Sequence, residues 1–267
     1  MQITKISNGV QEYKKYLKTL ELEPSTLKGY LWHINKFLDW LGEEELSEAK
    51  LKKYFQYLLK RYKKVSTINL RLIILNNYLK FLNKKFRFDL LSDEKSPMRI
   101  LRQDQLQQFL DKASKNKKLP GLRDKALLEL LYSTGIKVGQ LIKLRLDQID
   151  EIKKELIINK DTHIQISSLA WFHLKKYIDK RADDQPWLFI NFDRSNKSAE
   201  RNLSVRSVER IIAKYAKGMN PPLIINPQIL RNSLAYQLKK QGARHQEIGE
   251  ALHFKTSMAA EKYFNRI

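Results

Sequence analysis

Along residues 1–90 the apolar positions fall three and four apart, the spacing that gathers them into one stripe of a helix. Val10, Tyr13, Tyr16, Leu17 and Leu20 mark a first helix. Pro24-Ser25-Thr26 interrupts it before a second, which carries Leu27, Tyr30, Leu31, Ile34, Phe37, Leu38 and Leu41 and stops at Gly42. Ser47 is placed to cap a third helix around Leu51, Tyr54, Phe55 and Leu58. Ser66 or Thr67 is placed to cap a fourth around Ile68, Leu72, Leu75, Tyr78, Leu79 and Leu82. Four amphipathic helices of this length form a small bundle, because each has one face to bury and only the others to bury it against.

The periodicity lapses over residues 87–98, where Asp89, Ser92, Asp93, Ser96 and Pro97 suit either a linker between domains or an ordinary interhelical loop. Beyond Met98 the pattern is mixed. Helices are expected at 103–115, 122–133, 138–145, 168–181, 204–217, 228–241, 245–252 and 256–264. Glu155 to Asn159 and His163 to Ser167 read as two short strands joined by a tight turn, and Trp187 to Asn191 as a third. The expected fold is therefore mainly α. A four-helix bundle over 1–88 and a linker over 89–98 lead to a mostly helical second domain over 99–267 with one small antiparallel sheet.

Charge sharpens this picture. The chain of 267 residues carries a formal net charge of +22, spread without a basic tail, so the excess belongs to folded surfaces and favours a polyanionic partner such as nucleic acid. There is no cysteine, which excludes disulfides, thiolate metal sites and cysteine nucleophiles. No segment reads as a signal peptide and no run of about eighteen apolar residues offers a membrane span, so a soluble cytoplasmic protein is expected.

Three stretches carry a resemblance. The last runs Asn226-Pro-Gln-Ile-Leu-Arg-Asn-Ser, continues through Leu252-His-Phe and ends at Glu261-Lys-Tyr-Phe-Asn-Arg-Ile267. The second runs Leu122-Arg-Asp-Lys-Ala-Leu to Thr134-Gly-Ile-Lys-Val-Gly-Gln-Leu141. The third is Leu22-Glu-Pro-Ser-Thr-Leu-Lys-Gly-Tyr30. Together they resemble the tyrosine recombinases (phage-integrase and Xer-like enzymes) over nearly the whole chain. The resemblance implies two domains that clamp duplex DNA, strand cleavage by a tyrosine through a 3′-phosphotyrosyl link, and no metal or other cofactor.

It also implies a site. Tyr263 matches the nucleophile and Arg231 the second arginine, whose planar fork holds two phosphate oxygens. Lys137 stands where the first arginine belongs; it keeps the charge and loses the fork, or serves only as a phosphate-contacting cation. Lys160 falls where a β-turn lysine acts as general acid, on a turn shorter than the family's. Gln228, Asn232 and Phe254 replace three histidines of the pattern Pro-His-x-Leu-Arg-His and Leu-Gly-His. Gln228 donates a hydrogen bond but shuttles no proton, and Phe254 donates nothing. A frame shifted by one would put His253 in place of Phe254, at the cost of the family's nine-residue spacing to the tyrosine. Only Phe264 to Ile267 follows Tyr263, whereas tetrameric members carry a further helix there, so cyclic assembly is not expected of the sequence as it stands.

For binding DNA, Arg206, Arg210 and Lys214 recur every four residues on one face of the helix expected at 204–217, with Arg201 and Lys217 at its ends. Lys28, Arg71, Lys80, Lys84 and Lys85 are expected phosphate contacts of the N-terminal bundle. Three readings stand. One is a family member that binds double-stranded DNA but cleaves it weakly or not at all. Another is an active site-specific recombinase or integrase, and the last is an unrelated basic helical nucleic-acid-binding or scaffold protein. Protein partners under the first two are a second copy of the chain or an active recombinase paralogue.

Overall fold

The computed structural model describes residues 2–92, 97–192 and 201–267, with side chains from residue 9 onward. Asp93 and Ser96 of the expected linker lie outside the described residues. The chain divides into two compact units, Met1–Lys95 and Ser96–Ile267.

The first unit is built from α1 (Gln2–Thr19), α2 (Pro24–Leu41), α3 (Glu48–Arg61) and α4 (Val65–Phe81). Tyr13, Leu17, Ile34, Phe37, Leu58, Leu72, Leu75 and Leu79 are fully enclosed, so the stripes expected from spacing do meet in one core. Gly42 closes α2 in the left-handed region at φ 63°, and the Ser47 hydroxyl accepts from the Lys50 amide to start α3. The fourth helix begins earlier than Ser66 or Thr67 as caps would allow. The amides of Thr67 and Ile68 close onto the Lys64 carbonyl, which places both hydroxyl residues inside the first turn.

The second unit contains α5 (Gln103–Ser114), α6 (Leu119–Thr134), α7 (Val138–Leu141), α8 (Ser168–Ile178), α9 (Val205–Lys217), α10 (Pro227–Lys240), α11 (His245–Ala251) and α12 (Ser257–Phe264). Its antiparallel sheet has the order β1 (Ile149–Asp150), β2 (Glu155–Asn159), β3 (Thr162–Gln165). α6 is the central helix: its residues from Gly121 through Leu131 are almost all buried, charged ones included.

Several element boundaries differ from expectation, each for a local reason. α7 stops at Leu141 instead of 145, because the Leu144 carbonyl accepts from Leu188 and the Leu146 amide donates to Pro186. That pairing also occupies Trp187, which bridges Arg145 rather than joining the sheet as its third strand. The third strand is Ile149–Asp150, too short to show any alternation. The strand expected to reach Ser167 ends at Gln165, since the Ser167 hydroxyl is taken by the Ala170 amide as the cap of α8. Among the described residues, no helix is long and apolar enough to cross a membrane.

Candidate active site

Asn226 accepts from the Ile229 amide at 2.9 Å and Pro227 sets the first turn, so the start of α10 is fixed by local chemistry. Gln228, Arg231 and Asn232 then follow at the intervals that share one helical face. The Arg231 guanidinium is buried and donates to two backbone carbonyls, Gly135 at the end of α6 and Leu252 at the end of α11. Burial pulls its pKa down, and the Tyr263 phenol nearby acts against that. Gly135 makes the approach feasible: it is left-handed at φ 59°, and a Cβ there would lie 2.5 Å from the Leu252 side chain.

Tyr263 is delivered by α12, which Thr256 caps through the Ala259 amide. α12 packs tightly on α11 at Gly249, where a Cβ would come within 2.7 Å of the Ala260 methyl. A small cluster of Ala235, Ile248 and Leu252, with Phe254 and Phe264 against it, holds the tyrosine ring in place. Lys239 of α10 ties down the far end by donating to the carbonyls of Phe264 and Ile267 at 2.8 and 2.6 Å. The phenol itself donates to the Asn232 side-chain oxygen at 2.6 Å. Burial raises its pKa, while Arg231, a hydrogen bond from Gln228 and Arg266 favour the ionised form.

Lys137, Gln228 and Arg231 line one open concavity of about 290 Å³, together with Ile136, Val138, Asn226, Pro227 and Glu209. Three of the residues singled out in the sequence are thus brought together, and Tyr263 and Phe254 stand behind them. The Phe254 ring lies 5.3 Å from the Arg231 guanidinium and 5.1 Å from the Tyr263 ring. Its position is the one the resemblance implies for an imidazole, yet it offers only van der Waals contact. Lys160 is exposed in the turn between β2 and β3 and is not among the residues that line the concavity.

Asn232 and His253, one a histidine replacement and the other the frame-shifted alternative to Phe254, take places of their own at the site, and Glu209 joins them without having been expected. Asn232 accepts from both Tyr263 and Gln228. Glu209, exposed on α9, adds a carboxylate to a pocket otherwise suited to an anion. His253 takes a left-handed backbone at φ 53°, rare for a residue with a side chain. Its ring bonds the Thr134 backbone and its Nε2 is buried without a partner. Burial lowers the pKa of His253, helped by Arg231 and Lys137 and opposed by the bond to Thr134.

The basic face of α9 is exposed at Arg206, Arg210, Lys214 and Lys217, as is Arg201 before it. Lys214 is partly committed: its ammonium lies 3.4 Å from Asp124 and 4.6 Å from the Tyr215 ring centre. On the first unit Lys28, Lys80, Lys84 and Lys85 are exposed. Arg71 is instead stacked 3.9 Å over Tyr62 and bonded to that residue's hydroxyl and to the Thr67 carbonyl.

Residues 10–85 match the phage integrase N-terminal SAM-like domain and residues 99–266 match the phage integrase family. The chain is 28% identical to the tyrosine recombinase XerA of Pyrococcus horikoshii, covering 92% of this chain and 85% of that one. It is 27% identical to XerA of Pyrococcus furiosus, covering 98% and 90%. Among solved structures its fold is similar to that of the Tn1549 transposon integrase in complex with a circular intermediate DNA. The TM-score is 0.77 at 16% identity, over 96% of this chain and 94% of that one. A lambda integrase dimer bound to a COC′ core site gives a TM-score of 0.71 at 16% identity, over 97% and 76%. A family match that spans most of the second unit, around the very face of α10 that gathers Gln228 and Arg231 beside Tyr263, leaves one assignment: the chain belongs to the phage integrase family of tyrosine recombinases.

Proposed function

We propose that the chain binds double-stranded DNA through the basic surfaces of its two units, in the cytoplasm, and that strand cleavage by Tyr263 is weak or lost. The observation that carries this reading is Phe254. It stands 5.3 Å from Arg231 and 5.1 Å from the Tyr263 ring, where a hydrogen-bond donor to phosphate would be needed.

Cleavage requires a bond from the tyrosine oxygen to phosphorus as the bond to the 5′-oxygen breaks. The phenol gives up its proton and the leaving oxygen gains one. Fixed donors must meet the charge on the two non-bridging oxygens. Arg231 and Lys137 supply positive charge at the concavity, and Gln228 supplies a neutral donor. Losing one preorganised donor costs on the order of 10²–10³ in rate. Here a fork is reduced to a point charge, an imidazole to an amide and another imidazole to a phenyl ring. A carboxylate, Glu209, lines the same pocket and opposes the phosphate. Binding survives these changes because it draws on many phosphate contacts rather than on one. Arg201, Arg206, Arg210 and Lys217 remain exposed for it.

The test uses duplex DNA carrying the native target, nicked so that a cleaved strand end diffuses away. Wild type and Tyr263→Phe are incubated with it and resolved by denaturing electrophoresis. Salt-sensitive binding by both proteins with no covalent adduct is the expected result. An adduct that vanishes in the Phe variant would overturn the silent reading and establish an active recombinase. Absence of salt-sensitive binding would remove DNA as the partner.

A further inference from the structure

We propose that Asn232 is a positioning residue for Tyr263: it holds the phenol docked at the site as a hydrogen-bond donor and keeps it protonated. This rests on the reading of Tyr263 as the nucleophile position. The argument starts from a backbone carbonyl. Arg99 C=O can only accept, so the Asn232 side-chain atom facing it at 3.1 Å must be the Nδ2 amide. That orientation turns Oδ1 the other way. Oδ1 can also only accept, so both groups that meet it must donate. They are the Gln228 Nε2 at 2.8 Å and the Tyr263 hydroxyl at 2.6 Å. One carbonyl thus fixes three side-chain orientations and the direction of the tyrosine's proton. The carbonyl is itself pinned to α10, because the neighbouring Leu101 amide donates to the Ser233 hydroxyl at 2.8 Å.

The chemistry of the amide gives the arrangement its consequence. An asparagine accepts a hydrogen bond but does not take up the proton near neutral pH. The proton of Tyr263 is therefore directed at a group that cannot remove it. Burial of Asn232, of which only 6% is exposed, keeps water from competing for the same bond. The resting phenol is held in place by its own chain, and its ionisation must await a different acceptor or the loss of this bond.

The test reads the phenol and needs no DNA. Protein labelled at the tyrosine ζ-carbon is titrated by NMR between pH 8 and about 11, the range that brackets an ordinary phenol. The Tyr263 signal is identified by its absence in Tyr263→Phe. In Asn232→Leu the acceptor is gone and the Gln228 amide, no longer shared with Asn232, is left to the phenolate alone, so Tyr263 becomes about tenfold more acidic than in wild type, roughly one pH unit. In Asn232→Asp the acceptor returns with a negative charge, so Tyr263 shifts the other way and stays un-ionised to the end of the titration. A merely structural disturbance would move both variants toward the ordinary value together. Shifts of opposite sign support the proposal, and unchanged or parallel shifts overturn it. If Asn232→Leu fails to fold, Asn232→Asp decides alone: no upward shift sinks the idea. Because an adduct on nicked DNA is a separate measurement, finding one would end the silent reading without touching this result.

Discussion

Arg123 and Arg231 are both buried arginines on helices of the second unit, 7% and 6% exposed. Their surroundings differ. Arg123 sits in a closed circuit: its Nε lies 3.0 Å from the Asp124 carboxylate, it donates to the Ile190 carbonyl at 2.9 Å, and the Tyr215 hydroxyl completes Asp124 at 2.8 Å. Burial and the neighbouring Asp124 push the Tyr215 phenol up, so it stays a donor throughout the physiological range. Arg231 ends on two neutral carbonyls, and among the described residues no carboxylate forms an ion pair with it. A buried cation without an anion is costly, and one that faces an open concavity is completed by an anion from outside. The first arginine therefore belongs to a cluster that fastens α9 to α6 through Asp124, whereas the second, on the proposed function, is the one left to meet a phosphate at the concavity.

The largest test of that contrast is Asp124→Ala. It strands a buried guanidinium and a buried hydroxyl at once, and removal of one partner of a buried pair costs about 3–5 kcal/mol. Thermal unfolding should fall by about 10 °C. Arg231→Met in the same assay should cost less, about 1–2 kcal/mol, because it leaves the Gly135 and Leu252 carbonyls without their donor but removes an unpaired buried charge and packs against Phe254. Equal losses in the two variants would break the comparison.

A smaller effect is expected from returning donors to the site. Lys137→Arg restores a fork at the rim of the concavity, and Phe254→His places an imidazole between Arg231 and Tyr263. The double variant should raise adduct formation on nicked target DNA by about 10²-fold over wild type. No gain would mean that the chemistry fails for another reason, with Glu209 and the Asn232 contact the first to examine.

The two arginine clusters were unequally legible in the sequence. Gly42 and Ser47 end and start helices by chemistry confined to a few residues, and both act as spacing and residue type suggested. The run from Arg123 to Leu141 was readable because its apolar pattern and its Gly135 stop agree, and both lie within one short stretch. The closeness of Tyr263 to Phe254 agrees with the spacing that the family resemblance implied. The role of Asn232 was not legible, because it depends on a carbonyl 133 positions away that fixes which way the amide points. Glu209 reaches the pocket from α9, and nothing in its own neighbours signals that placement. The truncated α7 was missed because tertiary pairing with the segment around Trp187 overrode the local pattern, and β1 because two residues show no alternation.

The smallest expected effect concerns pH. Among Arg123, Asp124, Lys214 and Tyr215 no group is an imidazole, whereas His253 lies beside Arg231 with its pKa lowered, chiefly by burial. His33 and His173 are lowered too, again chiefly by burial. A histidine whose folded pKa lies below its unfolded value of about 6.5 binds fewer protons folded than unfolded. Its contribution to stability is present above that unfolded value and is lost as pH falls toward the folded one. Urea unfolding between pH 5 and about 8 should therefore show stability rising with pH and levelling off above about 6.5. His253→Asn removes one of the three titrating groups, and asparagine tolerates the left-handed backbone that residue 253 adopts at φ 53°. The slope below pH 6.5 should become shallower by the share of one proton, with the plateau nearly unchanged. An unaltered slope would mean that the imidazole beside Arg231 titrates alike in the folded and unfolded chain, and the electrostatic difference between the two arginine clusters would then rest on Arg231 alone.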